Sequence, residues 1–337
     1  MSLDRIRLAS LHDKVISAEQ AAAFIKDGMT VGMSGFTRAG EAKAVPLALV
    51  KQAQANPLKI TLITGASLGN DLDKQLTEAG VLARRLPFQV DNTLRKAINK
   101  GEVMFIDQHL SETVEQMRNL QLKKPDVAVI EAVAITEDGG IIPTTSVGNS
   151  ASFAIFAKEV IVEINTNLSP AFEGLHDIYI PSYRPTRQPI PLTQVDERIG
   201  TTAINIDPAK IVGIVFNSEL HDSPSTVTEP DDETQGIANH LIAFFEKEVA
   251  EGRLPKDLGP LQAGIGSIAN AVLTGLKDSN FEDLVMYSEV LQDCTFELID
   301  AGKMKFASGS SITLSAKYGE KVFNNLEQYK DKLVLRP

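Results

Sequence analysis

The sequence contains a single cysteine, Cys294, which limits both its covalent and its metal chemistry. One cysteine cannot form an internal disulfide, so a reducing compartment is favoured and we expect a cytoplasmic protein. The five histidines show no metal-ligand spacing, and no second cysteine is present to complete a zinc site. We therefore expect no metal site.

Basic residues are in the minority. Lys and Arg number 33 against 44 Asp and Glu, which gives a formal net charge of -11. A protein that binds nucleic acid needs a basic surface to displace counterions, so nucleic acid is not expected as a partner. The two basic pairs, Arg84–Arg85 and Lys123–Lys124, are isolated from each other and are interpreted as solvated surfaces.

Long hydrophobic runs are missing as well. Glu131 and Glu163 interrupt the most apolar stretches, so neither approaches the roughly 18 residues of a membrane span. The N-terminal segment Met1–Arg7 lacks the apolar core of a signal peptide. We expect no association with a membrane.

What the sequence does contain is an alternation of helical and strand patterns over 337 residues, enough for about two domains. Ser17 and Gln20 form a candidate capping box before a helix that Gly28 ends. The predicted strands are largely apolar, which is typical of parallel strands covered on both faces. Strands are predicted at 30–34, 59–64, 103–107, 126–130, 159–164, 210–216 and 283–288; helices are predicted at 45–54, 71–79, 110–120, 150–157, 234–250 and 293–301, with two more ending near 26 and 276.

The rhythm breaks between 170 and 191, where five of the 16 prolines occur within 22 residues. We interpret this segment as a long excursion or a domain-crossing arm. A second polar loop, 217–233, then separates two successive βα halves. The sequence therefore predicts tandem open-sheet α/β domains, with an N-terminal domain at 1–225 and a second domain at 226–337.

The sharpest local motif is Gly264-Ile265-Gly266-Ser267-Ile268-Ala269, which opens a predicted helix. Glycines at this spacing let backbone N–H groups approach an anion at a helix N-terminus. The motif matches the dinucleotide pattern, and Glu289 ends the next strand near the position of a ribose-binding acid. A nicotinamide enzyme and a purely structural turn are both open at this point.

Glu289 supports a second interpretation of the same region. It follows an apolar strand at its C-terminal end, where open α/β sheets bind their ligands, and Ser288 and Gln292 flank it. A carboxylate in such a crevice can act as a nucleophile toward an activated acyl group. The alternative is a loop acid that bonds its own backbone.

The motif at 264–272, taken together with Tyr287-Ser288-Glu289-Val290-Leu291-Gln292-Asp293, resembles the class I coenzyme A transferases of the acetyl-CoA hydrolase/transferase family. Within that family the sequence is most similar to the succinate:acetate and propionyl-CoA:succinate transferases. Four other segments carry the resemblance along the whole chain: 34–37 with 43–46, 64–67, 138–150 and 173–179.

The resemblance implies a mechanism and a set of site residues. Glu289 would attack the acyl-CoA thioester, and the acyl-glutamyl anhydride would be reopened by CoA thiolate to leave a glutamyl-CoA thioester. A second carboxylate would then take the CoA by the reverse steps. Gly264, Ile265, Gly266, Ser267 and Ile268 would contact CoA, and the Ile265 N–H would stabilise the oxyanion.

The resemblance also implies the biological setting. Coenzyme A would be a substrate and no resident cofactor is expected; acyl-CoA and small carboxylates of acetate and propionate metabolism would be the partners, and the protein would be a homodimer. Family members continue for a further third of their length, so the second domain is expected to be truncated and the activity weakened. An acyl-CoA thioesterase and a non-catalytic CoA-binding fragment are the alternatives.

Other polar residues offer weaker candidates. Cys294 is either a nucleophile or a small buried residue of the following helix, and Ser308–Ser311 is either a phosphate cradle or a turn. Arg184 and Arg187 are either phosphate ligands or surface arginines. Asp231–Glu233 is interpreted as an acidic helix N-terminus.

Overall fold

The computed structural model describes residues 3–226 and 230–337 and divides them into two compact units. Unit 1 comprises the described residues of Met1–Ile190 and Gly200–Ser223, with Pro337. Unit 2 comprises Pro191–Ile199 and the described residues of Pro224–Arg336. The division at residue 225 stays a prediction; in the structure, the nine residues Pro191–Ile199, which begin with the last proline of the proline-rich segment, belong to unit 2.

Unit 1 is built on a parallel sheet of seven strands in the order β4-β3-β2-β1-β5-β8-β9. After β1, the chain adds β2, β3 and β4 in turn on one side of β1. It then adds β5, β8 and β9 on the other side, so the direction in which strands are added reverses between β1 and β5. A crevice at the C-terminal strand ends next to such a reversal is where open α/β sheets bind ligands. The strands are β1 (Thr30–Met33), β2 (Ile60–Ile63), β3 (Leu82–Leu86), β4 (Met104–Phe105), β5 (Val127–Ala132), β8 (Glu159–Asn165) and β9 (Ile211–Asn217), with β6 (Ala134–Ile135) and β7 (Ile141–Ile142) forming a small antiparallel pair.

The helices of unit 1 cover this sheet and explain its apolar strands. All six residues of β5 are buried, as are the last six of β8, because helices pack over the sheet. The helices are α1 (Ala18–Ala22), α2 (Ala44–Ala55), α3 (Leu72–Glu78), α4 (Asn92–Asn99), α5 (Leu110–Arg118) and α6 (Ser150–Phe156), with 3-10 turns at Leu3–Arg5, Ala9–Lys14, Pro170–Phe172 and Pro208–Lys210.

The predicted capping box at the start of α1 is confirmed. The Ser17 hydroxyl accepts from the Gln20 N–H at 3.1 Å, and the Gln20 side chain accepts from the Ser17 N–H at 2.9 Å. The helix ends at Ala22, earlier than its apolar pattern predicted, and a turn replaces the expected last residues.

The interpretation of Arg84–Arg85 as a solvated surface is wrong for Arg85. Its side chain is fully buried, and its Nε donates to Asp73 Oδ1 at 2.8 Å while Nη2 donates to Ala66 O at 3.0 Å. These acceptors occupy the guanidinium fork, so the charge is paired despite its burial. Because a double arginine looks like surface, the sequence analysis missed β3, which contains it, and α4, which follows.

Unit 2 contains a smaller parallel sheet in the order β10-β11-β13-β15, and a separate parallel pair of β12 and β14. The predicted helices at 234–250, up to 276 and at 293–301 are present, whereas β13, α10 and β15 were not predicted. The elements are α7 (Asp232–Ala250), β10 (Pro260–Leu261), α8 (Ser267–Asp278), β11 (Leu284–Tyr287), β12 (Val290–Leu291), α9 (Asp293–Asp300), β13 (Met304–Gly309), β14 (Ser311–Ile312), α10 (Ala316–Phe323) and β15 (Leu333–Leu335), with 3-10 turns at Leu326–Gln328 and Lys330–Lys332.

None of the helices within residues 3–226 and 230–337 has both the length and the apolar character needed to cross a membrane.

Candidate functional site

The predicted glycine motif forms an exposed turn between β10 and α8. Gly266 is the N-cap residue of α8 and has a φ of +145°, a conformation that favours glycine. A Cβ built on Gly264 or on Gly266 would meet no atom within 4 Å, so open space faces both glycines. Ile265 between them is 65% exposed, which is unusual for so apolar a side chain.

The start of α8 is open to a ligand. No side chain caps Gly266, so the first N–H groups of the helix have no side-chain acceptor there. Uncapped N–H groups at the positive end of a helix are suited to an anion. Binding of an anion at this turn stays a prediction.

Glu289 lies in the two-residue connection between β11 and β12, with its side chain exposed. Its backbone is fixed, because the Glu289 carbonyl oxygen accepts from the N–H groups of Ser310 at 2.8 Å and Ser311 at 3.3 Å. These two amides are therefore occupied within the protein. This contact favours the turn over the phosphate cradle as the role of Ser308–Ser311.

Two neighbours of Glu289 hold the glycine turn beside it. Ser288 is buried, and its hydroxyl both donates to the Ala263 carbonyl oxygen at 3.1 Å and accepts from the Ala263 N–H at 3.3 Å. Gln292 Nε2 donates to the Gly264 carbonyl oxygen at 3.2 Å. The residues on both sides of Glu289 in the sequence are thus bonded to the glycine turn.

Arg336 also stabilises this arrangement, because it bonds Ser308, the residue that accepts from the Ser288 N–H. This role was not predicted from the sequence. The Ser288 N–H donates to the Ser308 carbonyl oxygen at 2.8 Å, and Arg336 Nε donates to the Ser308 hydroxyl at 2.8 Å. Arg336 Nη2 also reaches the Val195 carbonyl oxygen at 3.2 Å. The signal in the sequence was an arginine directly after the apolar run Leu333–Leu335, and in the structure this arginine is buried.

A cavity of about 430 Å³ opens beside the turn in unit 2. Ile265, Gly266 and Ser267 line it, whereas Gly264, Ile268 and Glu289 do not. Its wall carries charges of both signs. The cationic lining residues are Lys277 and Lys317, and the acidic ones are Asp293 and Glu297.

Cys294 also lines this cavity but does not have the properties of a nucleophile. Burial raises the pKa of its thiol to about 12, so the thiolate is scarce at neutral pH. The sulfur lies 3.7 Å from Asn270 Oδ1, an acceptor for the thiol proton. The structure therefore favours the small buried residue of the two alternatives.

The remaining candidates have structural partners. Arg184 and Arg187 both form ion pairs with Glu115, and the Asp231 carboxylate caps α7 by accepting from the Thr234 N–H at 2.8 Å. The predicted acidic helix N-terminus is thus confirmed. Among residues 3–226 and 230–337, no group of three or more His, Cys, Asp or Glu side chains is placed to hold a metal ion.

Comparison with protein families places most of unit 1 in a known group. Residues 2–216 match the family model of the acetyl-CoA hydrolase/transferase N-terminal domain. Over 335 residues the chain is 44% identical to the succinyl-CoA:acetate CoA-transferase of Clostridium kluyveri, covering 99% of this chain and 62% of that protein. It is 42% identical over 344 residues to the acetyl-CoA hydrolase of Schizosaccharomyces pombe, covering 99% of this chain and 66% of that one.

Solved structures share the fold. RipA from Yersinia pestis superposes with a TM-score of 0.71 at 17% identity, covering 97% of this chain and 69% of that chain. A 4-hydroxybutyrate CoA-transferase from Porphyromonas gingivalis gives a TM-score of 0.60 at 19% identity, covering 97% and 68%. The chain thus has the fold of these proteins and spans about two thirds of their length.

Proposed function

The chain belongs to the acetyl-CoA hydrolase/transferase family, and on that premise we propose that it transfers coenzyme A from a short-chain acyl-CoA to a small carboxylate. Acetyl-, propionyl- and succinyl-CoA are the proposed donors. The CoA would be carried as a thioester on Glu289. The chain spans 62% of the Clostridium kluyveri transferase, so the activity of the whole protein is part of the proposal.

The placement of Glu289 is the observation that carries this proposal. The carboxylate is exposed, its backbone is held by Ser310 and Ser311, and its neighbour Ser288 binds the turn that precedes α8. An ionised carboxylate needs no general base to act as a nucleophile. Such a nucleophile requires a backbone that is held in place and a side chain that is exposed to the substrate.

The proposed reaction conserves the thioester bond. A Glu289 carboxylate oxygen bonds to the acyl carbon, the C–S bond breaks, and CoA leaves as the thiolate. The thiolate then bonds to the glutamyl carbon of the anhydride and releases the first carboxylate, leaving CoA on Glu289. The second carboxylate repeats both steps in reverse and regenerates Glu289, so no oxidant or reductant is consumed.

The turn supplies the groups that this reaction needs around the thioester. We assign the Ile265 N–H to the oxyanion of the tetrahedral intermediate; one such donor is worth about 10²–10³ in rate. The cavity beside Ile265, Gly266 and Ser267 is the proposed binding site for part of the CoA. Lys277 and Lys317 are its cations and would face the phosphates of CoA.

Hydrolysis of acyl-CoA is a second candidate. Relatives named acetyl-CoA hydrolase are 40–42% identical to this chain, close to the value for the transferase. Water competes with the second carboxylate for the same anhydride and thioester, and the side chain of Glu289 is exposed. Transfer and hydrolysis therefore share the steps that form the intermediates on Glu289. They differ in whether a second carboxylate or water attacks those intermediates.

Acyl-CoA carrying a labelled acyl group separates the candidates. The chain is incubated with labelled acetyl-CoA in the presence and absence of succinate, and free CoA and succinyl-CoA are quantified. Transfer predicts succinyl-CoA that appears only with succinate. Free CoA released at the same rate without an acceptor would establish hydrolysis in place of transfer.

Two variants make this assay specific. Glu289→Gln keeps the shape of the side chain but not its nucleophilicity, so either activity should fall at least about a thousandfold. Glu282→Gln changes another exposed glutamate of the same unit and should leave turnover unchanged. Binding of CoA without any turnover would instead indicate a non-catalytic CoA-binding protein and overturn the proposed reaction.

The assembly and the location that the resemblance implies are carried forward as parts of the same proposal. We propose a homodimer in the cytoplasm, and light scattering of the purified chain tests the dimer. A monomer at micromolar concentration would contradict that part alone.

A further inference from the structure

Unit 1 contains a buried cluster of charged side chains that lies outside the proposed reaction. Glu41 and Lys43 follow β1, Glu131 lies in β5, and Asp222 follows β9. Glu41, Lys43 and Glu131 are almost completely buried, and Asp222 is mostly so. One cation therefore faces three carboxyl groups at the C-terminal ends of neighbouring strands.

The ammonium of Lys43 contacts three oxygens of this cluster. Its Nζ contacts Glu131 Oε1 at 2.6 Å, the Glu41 carbonyl oxygen at 2.6 Å and Asp222 Oδ1 at 2.7 Å. Two of its three N–H donors form hydrogen bonds, with Glu131 and with the Glu41 carbonyl oxygen, and the ammonium also forms an ion pair with Asp222. These contacts of Lys43 do not include either carboxylate oxygen of Glu41.

Both carboxylate oxygens of Glu131 accept hydrogen bonds from side chains. Its Oε1 also accepts from Asn165 Nδ2 at 3.0 Å, and its Oε2 accepts from Thr144 Oγ1 at 2.6 Å. Together with Lys43, these donors stabilise the ionised form of Glu131.

Glu41 has far fewer donors. Its Oε1 accepts from Asn70 Nδ2 at 2.9 Å, but its buried Oε2 has no hydrogen-bond partner. Glu163, also fully buried, shows the contrast, because its carboxylate accepts three backbone N–H groups at the start of α2, at 2.8, 2.9 and 3.0 Å. A buried carboxylate with a single donor is better tolerated with a proton bound.

The same cluster attaches residues 221–223 to unit 1. Asp222 Oδ2 accepts from Thr145 Oγ1 at 2.6 Å and from the Gly40 N–H at 3.1 Å. Asn70, the partner of Glu41, donates from Nδ2 to the His221 carbonyl oxygen at 3.0 Å and from its N–H to the Ser223 hydroxyl at 3.1 Å. Residues 221–223 are therefore held by Lys43 on one side and by Asn70 on the other.

We propose that Glu41, Lys43, Glu131 and Asp222 form a proton-dependent latch, which holds residues 221–223 while Glu41 is protonated and weakens its hold when Glu41 ionises. Ionised Glu41 would repel the Asp222 carboxylate, which lies against the same Lys43 ammonium that bonds the Glu41 carbonyl oxygen. The segment that the latch holds ends at Ser223, the last residue of unit 1 before Pro224 of unit 2.

The pKa values of the glutamates in the cluster agree with a latch that weakens when Glu41 ionises. Burial, and next the charge of Asp222, raise the pKa of Glu41 to about 8, against the attraction of Lys43. Burial raises the pKa of Glu131 to about 7, with Lys43 opposing it. The charged groups facing Glu41 are Lys43 from its own loop, Glu131 from β5 and Asp222 from the latch. Of the two buried glutamates, Glu41 is thus the later to ionise, in a range slightly above neutral.

Hydrogen exchange measured by mass spectrometry tests the latch in the full chain. Peptides covering 217–226 are compared with peptides from β8 between about pH 6 and pH 9, after correction for intrinsic exchange. The latch predicts that the opening equilibrium of 217–226 rises with pH by up to about tenfold per unit and levels off above about pH 8, where Glu41 is already ionised in the closed state. The β8 peptides should show no such rise. Equal behaviour of the two regions in the unmodified protein would overturn the proposal, whatever the variants do.

Two variants identify the group responsible. Glu41→Gln has no proton to lose, so the rise of the opening equilibrium of 217–226 with pH should be much less steep, with only the titration of Glu131 remaining. Asp126→Asn is the matched control, because Asp126, held by Lys123 and Lys158, is ionised throughout this range; the rise should persist. A rise of unchanged slope in Glu41→Gln would contradict the assignment to Glu41.

Discussion

Ser288 and Ala263 exchange two hydrogen bonds, one in each direction, between the Ser288 hydroxyl and the Ala263 backbone. Because Glu289 follows Ser288 directly and Gly264 follows Ala263, this exchange holds the backbone at Glu289 next to the start of the glycine turn.

Replacing Ser288 by Ala should therefore loosen the proposed site. Loss of these bonds leaves two backbone groups of Ala263 without their partner, at a cost of about 1–3 kcal/mol. We expect CoA affinity, measured by calorimetry, to fall about tenfold. Ser279→Ala is a matched control, since the Ser279 hydroxyl also donates to a carbonyl oxygen, of Leu276, and accepts from an N–H, of Phe281. It should lower stability but not affinity; equal affinities in both variants would contradict the role of Ser288.

The two glycines of the turn should respond differently to alanine. Gly266 has a positive φ, so Gly266→Ala should lower the melting temperature. Gly264 has no such restriction and open space around it, so Gly264→Ala should melt normally yet bind CoA less tightly. Gly236→Ala on α7, also without Cβ contacts, is the control and should leave binding unchanged. Normal CoA binding by Gly264→Ala would show that this glycine serves only the turn.

The buried Arg85 makes a strong prediction about stability. Its guanidinium bonds both carboxylate oxygens of Asp73, at 2.8 and 3.3 Å, and lysine cannot reproduce this fork. Arg85→Lys should cost about 3–5 kcal/mol, the range for breaking a buried pair. Arg84→Lys, one residue earlier and only half-buried, should change the unfolding free energy by less than about 0.5 kcal/mol. Similar losses from both variants in urea titrations would argue against the buried pair.

Stability should fall as pH rises toward 8. Glu41 and Glu131 have pKa values raised to about 8 and about 7 in the folded protein, above the ordinary value of 4.5. Raised folded values mean that their contribution is fully present below 4.5 and is lost as pH rises through 7 and 8. The melting temperature should therefore decline from pH 5 to pH 8.5, and less steeply in Glu41→Gln. A decline of the same slope in the variant would assign the effect to other groups.

Much of the architecture could be predicted from local pattern. The Ser17–Gln20 capping box and the apolar runs of β5 and β8 determine their elements by themselves, because short-range hydrogen bonding and two-sided burial leave clear signals. β3 and β13 escaped prediction, since Arg84–Arg85 in one and Ser308–Gly309 in the other break the apolar run. Their strand character depends on neighbours distant in sequence.

The residues of the proposed site and of the Lys43 cluster likewise divide into those that could be predicted from the sequence and those that could not. Glu289 and the glycine turn could be predicted because strand end and motif are local features. The cluster around Lys43 could not, since Glu41, Glu131 and Asp222 come from three separate parts of the chain. Glu131 and Glu163 inside apolar runs were the available signal: a charge in a buried strand requires a partner.

The central claim is that Glu289 is the group that carries CoA, and mass spectrometry tests it most directly. The full chain is incubated with acetyl-CoA, digested without reduction, and searched for a CoA adduct. The proposed reaction predicts the adduct on the peptide containing Tyr287–Asp293, at Glu289, present in Cys294→Ser and absent in Glu289→Gln. An adduct on Cys294, one that survives in Glu289→Gln, or no adduct at all would contradict the account.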